Sequence, residues 1–355
     1  MESIKGSQMP NNKDAKGKPA IDLVTGASSG IGRDLVDMLL AEGHEVRALL
    51  LHSPITSRDW MSLPPSVKLY IADLTSSAEA DQRVLEEACD NVDNIFHLAG
   101  ASYNFNHTYD ELINTNVVGT DNLLSACQIA NRQSTKMVHF IYASSVTVYG
   151  YKRIGQVLDE NAELKPASPY SESKEMAERV IKSFAETDPK IRYTIMRFGT
   201  LYGPHYKDSF FKVFKLIKEG KALYVGSGLN HLTLTHEMDA ARIMFLASQS
   251  QKSLNNVYNA TDGVAYTVKW LFEFVAKELG VQPPTRKVPH TIAKIMRPVV
   301  NIKSDELEFL ASDRTVSIER ARGDMDYVPK EKIEKAGLEL IEQFEKSEGS
   351  RVQQK

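Results

Sequence analysis

Val24-Thr25-Gly26-Ala27-Ser28-Ser29-Gly30-Ile31-Gly32 is the stretch on which the reading of this chain turns. It follows a short apolar run (Ala20, Ile21, Leu23, Val24). It opens a helical pattern in which Ile31, Leu35, Met38 and Leu39 recur until Gly43. Strand, glycine turn and helix, in that order, form the context in which a chain receives a dinucleotide. The glycines let the backbone turn tightly and come close to a pyrophosphate. The helix start then offers free N–H groups and the positive end of its dipole to that anion. Gly26, Ser28, Ser29, Gly30, Ile31 and Gly32 are therefore the expected phosphate-binding residues.

Outward from this turn, Glu45 to Leu51 reads as a second, buried strand. An acidic residue about 20 positions past the glycines would grip the adenosine ribose and select NAD. Leu50, Leu51, His52 and Ser53 stand there instead, so a 2′-phosphate meets no repulsion. NADP is accordingly expected ahead of NAD, with His52 as a contact. Val67 to Ala72 is a third strand closed by Asp73-Leu74. Asn94 to Leu98 is a fourth, ending in the small residues Ala99-Gly100, against which a flat cofactor can lie. Tyr109 to Asn131 carries a long helical pattern. Asn116 inside it needs a partner, because a buried amide is costly unless it is bonded. Met137 to Tyr142 is a fifth strand, leading into Ser144-Ser145, and Ile191 to Arg197 is a sixth.

Pro169 opens another helix with Tyr170 and Lys174 four residues apart, hence on one face. A phenol is a poor base at neutral pH. A neighbouring ammonium lowers its pKa, so Lys174 makes Tyr170 an expected acid/base. Ser145 at the fifth strand end is the expected hydrogen-bond donor to the same substrate oxygen.

Composition bounds the rest. The chain has 355 residues, 42% hydrophobic and 25% charged, with a formal charge of -3 and no basic block, so nucleic acid is not expected as its partner. Its apolar runs stay well short of the ~20 residues of a membrane span. Cys89 and Cys127, far apart in sequence, suggest free thiols in a reducing, cytoplasmic setting. The histidines show no metal-ligand spacing, so no metal is expected. Alternating strands and helices imply an α/β, Rossmann-like, doubly wound parallel sheet with ligands at the strand carboxyl ends. A smaller C-terminal α/β substrate lobe follows. The expected organisation is a disordered tail over 1–18, a dinucleotide-binding domain over 19–200, a lobe over 201–345 with some segments returning to the core, and a frayed tail over 346–355. The apolar run Ile292 to Ile302, with its basic members, reads as a lid or lobe helix, with membrane-surface contact as the alternative.

The motifs Thr25-Gly26…Gly30…Gly32, Asp73-Leu74, His97-Leu98-Ala99-Gly100, Asn116, Ser144-Ser145…Val148-Tyr149-Gly150, Tyr170…Lys174 and Arg197…Tyr202-Gly203-Pro204 together resemble the extended, epimerase-like branch of the short-chain dehydrogenase/reductases. The resemblance implies that Tyr170 is the acid/base, that Lys174 also holds the nicotinamide ribose, that Ser145 orients substrate and that Asp73 and Leu74 lie by the adenine. It places Leu98, Ala99, Gly100 and Asn116 among the cofactor contacts and Thr200 at the substrate. The long helices 109–131 and 170–186 would pair in a homodimer.

Three departures narrow the branch. Ser29 stands where extended members usually have glycine. Val146 and Thr147 replace the Asp-Glu pair of sugar dehydratases. Thr200 and Leu232 replace the Asn and Arg that hold the diphosphate in nucleotide-sugar epimerases, removing a charged, bidentate partner. The tail, with Val257-Tyr258-Asn259-Ala260 and Asp313-Arg314-Thr315, is similar to the hydroxysteroid-dehydrogenase and dihydroflavonol-reductase-like group. The function expected is an NAD(P)-dependent oxidoreductase acting on a secondary alcohol or ketone. The alternative is a nucleotide-sugar epimerase with retained NAD. A non-catalytic cofactor sensor is the third possibility.

Overall fold

The computed structural model describes residues 19–51, 63–102, 107–296 and 311–352. The expected tail over 1–18 and the contact assigned to His52 lie outside them. Seven strands form one parallel sheet: β1 (Ile21–Thr25), β2 (Glu45–Leu50), β3 (Lys68–Ile71), β4 (Asn94–His97), β5 (Val138–Ser145), β6 (Ile191–Phe198) and β7 (Asn256–Ala260). Their order is β7-β6-β5-β4-β1-β2-β3. The order reverses between β1 and β4, where Thr25 pairs with His97. Such a switch point opens a crevice at the strand carboxyl ends.

Both sheet faces are covered, so the strands carry near-continuous apolar runs. Leu35, Val36 and Leu39 of α1 (Gly30–Ala41) pack with Ala240, Ile243 and Met244 of a later helix (Glu237–Gln249) on one face. On the other lie α2 (Glu79–Cys89), α3 (Tyr109–Ile113), α4 (Gly119–Ala130) and α5 (Pro169–Thr187), with Leu85, Leu123, Leu124, Ala177 and Ile181 buried beneath them. Cys89 and Cys127, distant in sequence, meet there as buried free thiols.

The long helix expected over 109–131 is broken by a wider π turn at Asn114–Val118. The Asn116 side chain accepts from the Ala101 N–H (2.8 Å) and donates to the Ala101 carbonyl (3.1 Å) and to Ser173 Oγ (2.9 Å). These bonds satisfy the buried amide, and a π turn at such a position marks functional sites in many helices.

After β6 the chain builds the lobe from α6 (Lys207–Lys218), α7 (Glu237–Gln249), α8 (Val268–Glu278), α9 (His290–Met296), α10 (Glu319–Met325) and α11 (Ile333–Val352) with short strand pairs. Tyr202, Phe214, Tyr224, Phe272, Leu340 and Phe344 form its own core. The segments that return to the main sheet are α7, against α1, β7, against β6, and α10, whose Ala321 and Met325 join the same core. One expectation needs correcting. The frayed tail over 346–355 is helical through Val352, because Lys346, Glu345 and Glu348 are good helix formers and Lys346 pairs with Glu342 one turn back (3.9 Å). Of the run 292–302, the structure describes a short helix ending at Met296, with Ile292 and Ile295 exposed; the rest lies outside the described residues. Among the described residues no helix is long and apolar enough to cross a membrane.

Candidate active site

The glycine turn closes by local hydrogen bonding. The Ser29 N–H donates to the Gly26 carbonyl (2.9 Å), and Ser29 Oγ accepts from the Gly32 N–H (3.1 Å) as the N-cap of α1. This accounts for a serine where extended relatives carry glycine: Ser29 has φ -73°, which any residue adopts, and its hydroxyl caps the helix. Gly26 does require glycine. Its φ is +70°, and a Cβ there would lie 2.9 Å from the Ala99 nitrogen at the end of β4. A Cβ on Gly32 would collide with the Gly26 carbonyl. Gly30 is glycine for another reason. Its Cα lies under His205 and Glu237, from the lobe.

Thr25 fastens the turn to β4. Its hydroxyl accepts from the Leu98 and Ala99 N–H groups (3.2 and 3.1 Å) and meets His97 Nδ1 at 2.8 Å. Thr120 Oγ1 donates to the Asn116 carbonyl (2.6 Å), so His97 Nε2, 2.9 Å away, must be its donor. Nδ1 is then the acceptor of the Thr25 proton. Burial, with Lys174 nearby, pushes the His97 pKa down to about 3, so the ring stays neutral in this one tautomer. His97 is thus a spacer that holds the β4 end against the glycine turn.

Ser168 caps α5 by accepting from the Ser171 N–H (3.2 Å), and Pro169 starts the helix. Tyr170 occupies the first turn, partly exposed; Lys174 sits one turn on and is buried. The Lys174 ammonium donates to the Ala143 carbonyl (2.9 Å) and the Tyr142 hydroxyl (3.2 Å) of β5. Burial lowers its pKa to about 8, with Glu178 pulling the other way. A Cβ on Gly100 would lie 2.8 Å from Asn116 Oδ1 and 3.3 Å from Lys174 Nζ, so Gly100, Asn116 and Lys174 converge. Ser145 Oγ accepts from the Thr147 N–H (3.2 Å) and meets Thr147 Oγ1 at 3.0 Å. With Thr147 as donor in both bonds, the Ser145 proton stays available to a further acceptor.

Asp73 and Leu74 sit apart from this cluster. Asp73 Oδ1 accepts from the Thr75 N–H and hydroxyl (both 2.8 Å), and the Leu74 carbonyl accepts from Asn122 (2.8 Å). Thr200 lies in a small, mostly apolar cavity with Ser209, Phe210, Val213, Phe214, Leu232, Leu234, Val268, Leu271 and Phe272. Its N–H donates to the Thr233 carbonyl (2.8 Å).

The main cleft, of 1020 Å³, runs from Gly26, Ser28, Ser29 and Gly30 past Leu98, Ala99 and Gly100 to Tyr206, Ser209, Lys212 and Phe344. It is roomy enough for a dinucleotide, and the tight approach of Gly26 to Ala99 is the kind of floor on which one lies. Three participants were not singled out in the sequence. Arg33 lines the cleft while its Nε donates to the Ser28 carbonyl (3.1 Å). Glu178 supports Lys174 from the next turn, and Tyr206 overhangs the glycine turn. Glu178 had a signal, four residues past Lys174 on the same helix face; Tyr206, from the lobe, had none.

A family model described as the NAD dependent epimerase/dehydratase family matches residues 23–297. The chain belongs to the NAD-dependent epimerase/dehydratase family. It is thereby an enzyme of the dehydrogenase/reductase or epimerase type, with NAD chemistry at its centre. Among similar proteins, the N-acetyl-alpha-D-glucosaminyl-diphospho-ditrans,octacis-undecaprenol 4-epimerase of Escherichia coli O157:H7 is 24% identical over 260 residues, 73% of this chain and 76% of that one. The 2-alkyl-3-oxoalkanoate reductase of Stenotrophomonas maltophilia is 23% identical over 334 residues, 88% of this chain and 96% of that one. The solved UDP-glucuronic acid 4-epimerase from Bacillus cereus in complex with NAD shares the fold, with a TM-score of 0.71 at 20% identity, covering 91% of this chain and 99% of that one. Proteins similar to this chain thus include one named as an epimerase and one named as a reductase.

Proposed function

We propose that this protein is a net oxidoreductase, exchanging hydride between a nicotinamide and a secondary alcohol or ketone on an apolar skeleton. The observation that carries this reading is the cavity around Thr200 and Leu232. Besides Thr200 and Ser209, only phenylalanine, leucine and valine side chains line it, around the two positions where epimerases place groups for a diphosphate. A dianion there would lose solvation without gaining a charged partner. The reductase relative acts, by its name, on an oxoalkanoate, which fits an apolar chain.

In this reading the nicotinamide supplies or takes the hydride. Tyr170 gives its proton to the carbonyl oxygen, or takes one from the alcohol, and the Lys174 ammonium stabilises the phenolate. Ser145 donates its free proton to the same oxygen. Gly26, Ser28, Ser29, Gly30, Ile31 and Gly32 hold the pyrophosphate. Leu98, Ala99, Gly100 and Asn116 border the nicotinamide half, and Asp73 and Leu74 the adenine. Leu50 and Leu51, where an acid would repel a 2′-phosphate, together with the cleft-facing Arg33, favour NADP. The buried free thiols of Cys89 and Cys127 accord with a reducing cytoplasm. The half-exposed Ile129 on α4 suits a homodimer formed through α4 and α5.

The second reading, a nucleotide-sugar epimerase with retained NAD, keeps support from the epimerase relatives. One experiment separates the two. The NADP-loaded protein is melted with UDP, GDP, dTDP and CDP in turn, then assayed for NADPH consumption on a ketone panel. A ligand at 100 times its Kd adds about 2.7 kcal/mol of stability. The oxidoreductase reading expects no rise with any nucleotide and net oxidation with at least one apolar ketone. A clear rise with one nucleotide, and no ketone turnover, would replace it with epimerisation.

A further inference from the structure

The amino-terminal ends of the strands, opposite the end that carries the cleft, hold a second cavity, of 220 Å³. A row of polar residues crosses four neighbouring strands there. Asp22 of β1 pairs in register with Asn94 of β4, Asn94 with His139 of β5, and His139 with Arg192 of β6. Partners in register share a sheet face. Two residues further along three of these strands stand Val24, Phe96 and Ile141, in the core beneath α1 and α7. The same face is therefore apolar along its length and polar at this one end, where Asn94, His139 and Arg192 line the cavity.

The hydrogen bonds fix what these three side chains offer. Asn94 and His139 are both more than nine-tenths buried. Asn94 Nδ2 donates to Asp22 Oδ1 (2.7 Å), which leaves Asn94 Oδ1 as an acceptor without a partner among the described residues. Thr194 Oγ1 gives its proton to the Ser253 carbonyl (2.7 Å), so His139 Nε2, 2.7 Å from that hydroxyl, is the donor to it. Burial pushes the His139 pKa down to about 3; the ring is neutral and its Nδ1 is a bare acceptor. The half-buried Arg192 guanidinium has no hydrogen bond or ion pair with the described residues. The opposite wall, at the end of α7, is already satisfied: Ser248 Oγ donates to the Phe245 carbonyl (2.7 Å) and Ser250 Oγ to the Asp324 carbonyl (2.8 Å). Asp93, also in the lining, is neutralised by Lys136 (2.9 Å). The cavity thus presents one uncompensated positive charge beside two acceptors.

We propose that this cavity binds a small hydroxylated monocarboxylate, with its carboxylate on Arg192 and its hydroxyls donating to His139 Nδ1 and Asn94 Oδ1. The planar guanidinium fork matches a carboxylate. The two acceptors follow at the spacing of neighbouring strands, about 4.8 Å, which is the reach of a short hydroxylated chain. A phosphate dianion would bring a second charge with no partner. The volume is below the roughly 300–1,000 Å³ of pockets that hold drug-sized molecules, which excludes a nucleotide. The site is separate from the cleft, so its failure leaves the cofactor reading untouched.

The test is calorimetric titration of the full-length protein, and of Arg192→Met, with glycerate, acetate, glycerol and glycerol phosphate. Glycerate carries one charge and two hydroxyls; acetate lacks the hydroxyls, glycerol lacks the charge, and glycerol phosphate adds a second charge. Glycerate is expected to bind at least about 10-fold more tightly than acetate or glycerol, and to lose at least about 10-fold in Arg192→Met, the worth of a charged hydrogen bond. A melting curve confirms that the variant folds. Nitrogen NMR with isotope-labelled histidine gives a second readout in the unmodified protein. The unprotonated His139 nitrogen, assigned from its loss in His139→Gln, is expected to move upfield as a hydroxyl donates to it. Absence of glycerate binding, equal affinity in a folded Arg192→Met, or an unmoved His139 signal each overturns the proposal. Tighter binding of glycerol phosphate than of glycerate overturns the choice of a monocarboxylate.

Discussion

Glu178 of α5 and Arg197 of β6 form a two-point ion pair with both side chains out of water: Nε to Oε1 at 3.0 Å, Nη2 to Oε2 at 2.6 Å. Burial would lower the guanidinium pKa, but the bonds to Glu178 outweigh it and hold it raised. Ser144 Oγ donates to Oε1 (2.6 Å). Arg197 Nη1 donates to the Tyr149 hydroxyl (2.8 Å), which donates to Asn259 Oδ1 of β7 (2.9 Å). The pair therefore ties the helix carrying Tyr170 and Lys174 to three neighbouring strands.

Removing one partner of such a pair strands a buried charge. Glu178→Leu and Arg197→Met are each expected to cost about 3–5 kcal/mol in chemical denaturation, and the double variant Glu178→Leu/Arg197→Met clearly less than their sum. Costs that add fully in the double variant would show that the two side chains act independently.

Lys174 is held in the fold with its pKa lowered from 10.5 to about 8 by burial. The folded state therefore carries the cost of the charge in full below pH 8 and sheds it between pH 8 and 10.5. Lys174→Met is expected to be more stable than the natural protein by on the order of 1–2 kcal/mol at pH 7, the Ala143 carbonyl losing its donor, with the gain shrinking toward pH 10. Activity should be lost. Thermal melting across pH, beside an activity assay, reads both; a loss of stability at pH 7 would contradict it.

Tyr170→Phe is expected to lower turnover by about 10²–10⁴-fold while leaving dinucleotide affinity unchanged. Retention of most of the activity would move the acid/base role to another group.

Gly26→Ala should lose at least about 10-fold in dinucleotide affinity, because the backbone has φ +70° and the new methyl meets the Ala99 nitrogen. Gly43→Ala is the control: its φ is +83°, but nothing lies within 4 Å, so stability alone should fall, by about 1 kcal/mol. Equal affinities for the two variants would count against the glycine turn as the cofactor floor.

Asp262, just past β7, is buried with its Oδ2 unpartnered among the described residues. Burial, opposed by a bond from the Val264 N–H and reinforced by Glu334 and Asp239, raises its pKa from 3.8 to about 7. The destabilisation is absent below pH 3.8, grows between 3.8 and 7, and is complete above 7. Asp262→Asn is expected to stabilise the protein by about 2–4 kcal/mol at pH 7.5 and by progressively less toward pH 5. A pH-independent difference would mean the carboxyl is not titrating in this window.

The parallel sheet, the glycine turn and the Tyr170–Lys174 pair were legible in the sequence because each is a local pattern. Strand and helix periodicity state which face is buried, and two residues four apart on a helix must share a face. Even the serine at 29, which set the turn apart from the extended branch, is explained by a bond to Gly32, three residues away. What the sequence by itself determined is this ordering of elements and the residues at the strand carboxyl ends.

Tertiary structure decided what those residues meet. Lys174 finds Ala143 and Tyr142, on another element more than 30 residues earlier. His97 is locked by Thr25 and Thr120 on two elements. Gly30 is closed over by His205 and Glu237, from a lobe that begins some 170 residues downstream. Thr200 and Leu232 face apolar side chains contributed by two further helices. Periodicity carries no information about such meetings. They follow from strand register and from how the lobe docks on the sheet, which are settled by packing across the whole chain.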